Sequence, residues 1–193
     1  EKDKGQSDAI NKGFKLSKGD LIGWINSDDI LYPTCVENII KLHQKHPNAS
    51  ILYNCNNRRI NEYGQTLGEY TIKIQNKIDL LNNNYSIIQQ GSFYSAKALK
   101  QTNLINESLN YCMDLDLWFQ LLKFGSIHYS DEAPQSAFRV YSTTKTATGG
   151  AAFLSEIRKT LIKNGANFIY SKALRQTYWY ALKVTIKKMI QIK

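Results

Sequence analysis

Along this chain the spacing of apolar positions changes several times, and each change marks an element. In QSDAINKGFKLS (6–17), Ile10, Phe14 and Leu16 fall at helical intervals, and Gly19 closes the segment. LIGWI (21–25) is a short continuous apolar run, the pattern of a buried strand. Pro33 stands where a helix can begin, and Val36, Ile39, Ile40 and Leu42 give PTCVENIIKLHQKH (33–46) one apolar face. SILYNC (50–55) reads as a second strand, and RRINEYGQTLGEYTI (58–72) as a hairpin turning at Tyr63-Gly64. A short helix around IDLLNN (78–83), a strand-like IIQQGSFYS (87–95) and a helix DLDLWFQLLKFG (114–125) ended by Gly125 follow. SIHYSD (126–131) and QSAFRVY (135–141) read as strands around a turn at Pro134. The Thr/Gly-rich STTKTATGGA (142–151) is expected to be flexible, and two basic amphipathic helices, near 152–164 and 169–191, come after it. Strands alternating with helices, then a hairpin, predict an α/β fold with a mixed sheet.

Composition narrows the class. The 193 residues suffice for one domain with an appendage, and 42% hydrophobic with 21% charged residues is ordinary for a globular chain. Cys35, Cys55 and Cys112 are far apart and odd in number, which suits buried thiols in a reducing compartment better than a disulfide framework. The chain begins without Met and lacks the strands that should open a parallel sheet, so it is expected to be part of a larger protein. Of the +9 net charge, residues 151–193 carry +8, with Glu156 their one acid, and residues 1–150 carry +1. A near-neutral body argues against nucleic acid; a basic, aromatic tail with Tyr178, Trp179 and Tyr180 suits an anionic membrane surface, or a helical pair packed with its basic face in water.

Two acid pairs carry the candidate chemistry. GWINSDDI (23–30) ends an apolar run on Asp28 and Asp29. In open α/β sheets ligands bind beyond the carboxyl ends of the strands, and two acids on a turn can share a hard divalent cation that bridges to phosphate. Asp29 could instead cap the helix that follows. Asp114 and Asp116 open the second apolar helix, where acids also complement the helix dipole and Trp118 would be ordinary core. His43, His46 and His128 show no metal spacing with the cysteines.

The run DKGQSDAINKGFKLSKGDLIGWINSDDILYP resembles the family-2 glycosyltransferases of bacterial polysaccharide synthesis, which have the GT-A fold. The likeness lies in a Gly-Gln loop, the Ala9-x-Asn11-x-Gly13 helix, Gly19-Asp20 and a strand ending in a DxD-type motif. It implies a Rossmann-like mixed sheet flanked by helices without its opening βαβ half. It also implies a nucleotide-sugar donor, with a UDP-sugar first, bound by Asp3, Gly5, Gln6, Asn11 and Asp28. A divalent cation, Mn2+ or Mg2+, would be held by Asp29 directly and by Asp28 directly or through water. NYCMDLDLWFQLLKFG resembles the family's second signature, which implies the catalytic base on Asp114, a supporting acid on Asp116 and Trp118 on the acceptor side. IIQQGSFYS resembles the segment near the acceptor, with Gln89 at its Gln position, where a Gln could also only satisfy backbone at a strand end. FRVYSTTKT resembles the closing motif: Arg139 matches, and Arg139 or Lys145 could face the diphosphate, but Tyr141 occupies a usual His position. Asn26 stands where relatives often carry Asp, Gln90 where Pro is usual, and Gln120 where Arg is frequent.

The resemblance therefore implies an inverting, metal-dependent sugar transfer to a glycan or lipid-linked acceptor, in the cytoplasm or on the inner face of the plasma membrane. Residues 1–146 would form the partial catalytic domain and 147–193 a basic helical extension. The alternatives are a metal-dependent nucleotidyltransferase or phosphatase, and a non-catalytic carbohydrate-binding or membrane-associated protein.

Overall fold

The structure, a computed structural model, describes residues 2–191, with the side chains of Thr146 and of Val184 onward left out. Lys187, Lys188 and Lys193 of the basic tail therefore lie outside the described side chains. The chain runs α1 (Gln6–Leu16), β1 (Leu21–Ile22), β2 (Ile30–Leu31), α2 (Cys35–Lys45), β3 (Ala49–Asn54), β4 (Asn56–Ile60), β5 (Thr66–Thr71), α3 (Lys77–Asn82), β6 (Phe93–Ser95) and α4 (Ala96–Leu99). It continues through α5 (Met113–Leu121), β7 (Ser126–Ser130), β8 (Ser136–Arg139), α6 (Lys145–Thr148), α7 (Gly150–Lys163) and α8 (Lys172–Gln191).

Two mixed four-stranded sheets result, in the orders β1-β6-β3-β7 and β2-β8-β4-β5, with β3–β7 and β4–β8 parallel and the other pairs antiparallel. Strand β3 is buried along its whole length. Its alternation sends Ile51 and Tyr53 to a core with Trp118 and Phe119, and Leu52 to a smaller one with Ile39 and Leu42 of α2. The hairpin forms as its turn chemistry predicts: Gly64 takes φ 83°, and the Asn61 side chain accepts the N–H groups of Tyr63 and Gln65.

Three expectations are revised. LIGWI is strand only at Leu21–Ile22, and Gly23 then lies so close to the Ser92 carbonyl that a Cβ there would come within 2.7 Å. Asp28 and Asp29 therefore sit in a turn just before β2, not directly at the carboxyl end of β1. IIQQGSFYS is strand only at Phe93–Ser95, since Gly91 turns the chain at φ 77°. The Thr/Gly stretch carries helix α6, capped by the Thr144 hydroxyl, which accepts the Ala147 N–H. Leu154, Ile157 and Leu161 of α7 and Ala173 and Leu174 of α8 share the core of Tyr53 and Trp118, so these helices pack onto the body. Among the described residues no helix is long and apolar enough to cross a membrane.

Candidate active site

The loop after β1, the N-terminus of α1, the start of α5 and the β8–α6 segment enclose a cavity of about 830 Å³. A second cavity, about 380 Å³, lies against it, and both are lined by Gln89, Gln90, Tyr111, Asp114, Phe138 and Lys145. Asp114 is thus on the shared wall. Its Oδ1 accepts the Leu115 N–H at 2.8 Å, and burial pushes its carboxyl up to about 6. A carboxylate of that pKa is mostly ionised at neutral pH and basic enough to take a hydroxyl proton.

Asp116 points elsewhere. It is 3% exposed, its Oδ1 lies 3.1 Å from Lys163 Nζ, and its Oδ2 accepts Gln120 Nε2 at 2.8 Å. It ties α5 to α7 and does not line either cavity. Trp118, one turn beyond Asp114, is fully buried and donates its indole N–H to Tyr94 Oη at 3.3 Å. The acceptor-side expectation for Trp118 is therefore corrected: it is core.

The two acids of the turn have different surroundings. Asp29 is held by three protein donors: its Oδ1 accepts the Arg139 N–H at 3.0 Å, and its Oδ2 accepts Asn26 Nδ2 and Gln90 Nε2, each at 3.1 Å. Burial raises its carboxyl pKa above the usual range despite those donors. Asp28 lines the large cavity, and its Oδ2 accepts the Tyr141 hydroxyl at 2.8 Å. The geometry thus favours Asp28, which lines the large cavity, over the expected Asp29, which braces the loop, as the acid open to a ligand.

Arg139 is also structural. Its guanidinium donates to the carbonyls of Asp28 (2.6 Å), Asn61 and Glu62 (2.9 Å each), so the β8 end is fastened to the acid turn and the hairpin. Among the described residues Lys145 is the one cation lining the large cavity, with Nζ donating to Gln6 Oε1 at 2.9 Å and to the Asn110 carbonyl at 3.1 Å. Gln6 reaches the same wall and donates to Asn26 Oδ1. Of the other residues expected at the donor, Asp3 pairs with Lys12 at 2.9 Å and Gly5 stands before α1 at φ 147°; neither lines the cavity. Asn11 is buried, exchanging hydrogen bonds with the backbone of Ile105 and donating to Glu107. Asp3 and Asn11 are thus taken up by protein partners, and none of the three lines the large cavity. Gln89 lines both cavities and braces the loop, donating to the Trp24 carbonyl at 2.6 Å.

Sequence reading missed Glu156. Its carboxylate accepts the N–H groups of Asn110, Tyr111 and Cys112 at 3.0, 2.7 and 3.1 Å, fixing the loop that leads to Asp114. The signal was its isolation as the one acid in a basic tail.

On the wall of the large cavity a hard cation shared with a phosphate-bearing ligand would meet Asp28, with Asp114 the other carboxylate there; the amide oxygens of Gln6 and Asn26 already accept from Lys145 and Gln6. A cage made by protein alone is not formed, since no three His, Cys, Asp or Glu side chains converge among the described residues.

The family model described as "Glycosyl transferase family 2" matches residues 1–102. An uncharacterized glycosyltransferase of Rickettsia typhi is 27% identical over 96% of this chain and 67% of its own length. Chondroitin synthase of Escherichia coli is 29% identical over 65% of this chain and 18% of its own length. Among solved structures, S. aureus TarS in complex with UDP-GlcNAc superposes with a TM-score of 0.61 at 11% identity, over 94% of this chain and 52% of that one. At that identity the likeness is one of fold, GT-A, and the chain spans about half the length of the TarS chain it matches.

Proposed function

Because this chain belongs to glycosyl transferase family 2, we propose that it moves a sugar from a nucleotide-diphosphate sugar to a hydroxyl of a glycan or glycolipid, with inversion, in cell-surface polysaccharide synthesis. The observation that carries this reading is Asp114, a carboxylate with its pKa pushed up to about 6 on the wall shared by two cavities. The donor occupies the large cavity and the acceptor enters through the small one. Asp114 accepts the proton of the acceptor hydroxyl as its oxygen bonds to the anomeric carbon; the bond from that carbon to the diphosphate breaks, and its electron pair leaves with the nucleoside diphosphate. A single displacement inverts the centre and needs one base.

Lys145 sets a positive charge beside the leaving diphosphate, and Gln6 and Asn110 hold that ammonium in place. A divalent cation, when bound, would neutralise phosphate charge, and Asp28, oriented by Tyr141, would hold it. A UDP-sugar is the first donor to test, because TarS was solved with UDP-GlcNAc. The exposed Tyr178, Trp179 and Tyr180 on basic α8 support a peripheral site on an anionic membrane, with the catalytic body in the cytoplasm.

A screen of UDP-sugars against membrane-derived glycans, reading free nucleoside diphosphate, tests the reaction. UDP release that depends on acceptor is the expected result. Pyrophosphate or inorganic phosphate as the product would instead identify a nucleotidyltransferase or phosphatase.

A further inference from the structure

The smaller cavity has a composition of its own. The pairing of β4 with β5 and β8 puts Arg59 opposite Phe138 and Asn57 opposite Tyr70, so Arg59, Tyr70 and Phe138 share one face of the second sheet. All three line this cavity, and Tyr85, Tyr111 and Phe153 close it from the other side. Partly exposed aromatic rings around a pocket of this size offer flat apolar faces to the C–H face of a sugar ring.

The charges point to a narrower ligand. Among the described residues the ionisable groups of opposite sign on this wall are Arg59 and Lys145 against a single carboxylate, Asp114. Arg59 lies over the Tyr70 ring, its Cζ 4.8 Å from the centroid, and forms no ion pair with a carboxylate among the described residues. Its neighbour Arg58 emerges on the opposite face and is paired with Glu69 at 2.8 Å. The larger cavity has the reverse balance, Asp28 and Asp114 against Lys145. A guanidinium held in place by stacking and ion-paired to no carboxylate among the described residues is well arranged for a planar or tetrahedral oxyanion.

We infer that the small cavity is an acceptor subsite for a sugar bearing an oxyanion, a uronate carboxylate or a phosphate ester, with Arg59 as the residue that selects for the charge. This rests on the glycosyltransferase reading for the acceptor's role, but binding can be measured without turnover. The aromatic rings take the sugar face, Arg59 the anionic substituent, and Asp114 is left beside the hydroxyl.

The test is a set of fluorescence titrations of the full-length protein, using its aromatic residues as the signal. The ligands are a uronate-containing tetrasaccharide, the same tetrasaccharide with its carboxyls reduced, a polyol-phosphate oligomer, and UDP as a separate arm. The expected result is that at least one anionic oligomer binds about tenfold or more tightly than the reduced one, and that which one does so identifies the oxyanion. Arg59→Gln should abolish the preference while leaving binding of the reduced tetrasaccharide unchanged, and Arg59→Lys should retain part of it. Arg58→Gln, on the opposite face, should retain all of it. Equal binding of anionic and reduced glycans, or an unaltered preference in Arg59→Gln, overturns the inference. UDP binding with no glycan discrimination would sink the subsite alone, whereas absence of UDP binding would count against the donor reading itself.

Discussion

Glu156 Oε2 accepts the backbone N–H of Tyr111 at 2.7 Å, so a helix of the C-terminal region fixes the loop that sets Asp114 in place. With Asn110 and Cys112 also donating, three backbone groups converge on one carboxylate. The distance between those residues in sequence is 45, and the contact joins the basic tail to the chemistry.

Glu156→Ala should therefore leave three loop N–H groups without their acceptor. A loss of about 1–3 kcal/mol in stability is expected from unmade hydrogen bonds to a charged group, read as a lower Tm. Turnover should fall by about tenfold and UDP affinity by clearly less, because the loop carries Asp114 and only part of the hold on Lys145, through Asn110, while the acid turn lies outside it. A drop in UDP affinity equal to the drop in turnover would point to general unfolding and not to loop position.

Asp114→Asn should lower turnover by about 100-fold or more while UDP still binds, since the amide keeps the shape and cannot take a proton. The stability effect has the opposite sign. Burial raises the folded carboxyl from 3.8 to about 6, so between those values the folded state holds more protons than the unfolded one. Wild-type stability then falls as pH rises through that window, and the ionised, buried carboxylate costs on the order of 1–3 kcal/mol above it. The Asn variant has no such loss. Its melting temperature should match wild type near pH 4 and exceed it at pH 7.5; activity of the wild type should rise through about pH 6. A pH-independent difference in melting would disprove the burial argument.

The sequence made the α/β architecture legible, because helical and alternating periods survive in α1, α2, α5 and the β4–β5 hairpin. It failed where long-range packing decides. Nothing local in LIGWI tells that Gly23 meets the Ser92 carbonyl, or that Gly91 turns the chain before β6. The same holds for the site. Motif likeness pointed to the acid turn and α5, but which member of each pair lines a cavity depends on distant partners: Arg139 and Gln90 for Asp29, Lys163 for Asp116. Asn11 and Arg139 read as ligand contacts because polar residues near a motif look alike until their buried partners are known.

The membrane proposal needs a test that leaves the core closed. Deleting the chain from Ala151 would remove Leu154, Ile157, Leu161 and Leu174 from the main core, so lost binding would mean little. Trp179 is 53% exposed, with Lys183 Nζ 3.4 Å from its ring centroid, and both can be changed on the surface. Trp179→Ser with Lys183→Glu should lower recovery on vesicles of anionic phosphatidylglycerol by several-fold in flotation, and salt should lower wild-type recovery too. Equal recovery on neutral and anionic vesicles would end the proposal.

The sharpest separation is between Asp28 and Asp29. Asp28 lines the cavity and its carboxylate takes one hydrogen bond among the described residues, from Tyr141, so Asp28→Asn should preserve the fold, with Tm within about 2 °C of wild type. It should weaken UDP binding in Mn2+ by about tenfold or more and have much less effect in a chelator, because the lost charge belongs to the cation's share of the site. Asp29→Asn should do the reverse. Its new amide N–H groups would confront a donor from Arg139, Asn26 or Gln90, and leaving those donors unmatched costs about 1–3 kcal/mol. Calorimetric titration of UDP with and without Mn2+, beside thermal melts of both variants, resolves the two roles. If Asp29→Asn kept its melting temperature and lost Mn2+-dependent UDP binding, the motif-based order would be right and the geometric one wrong.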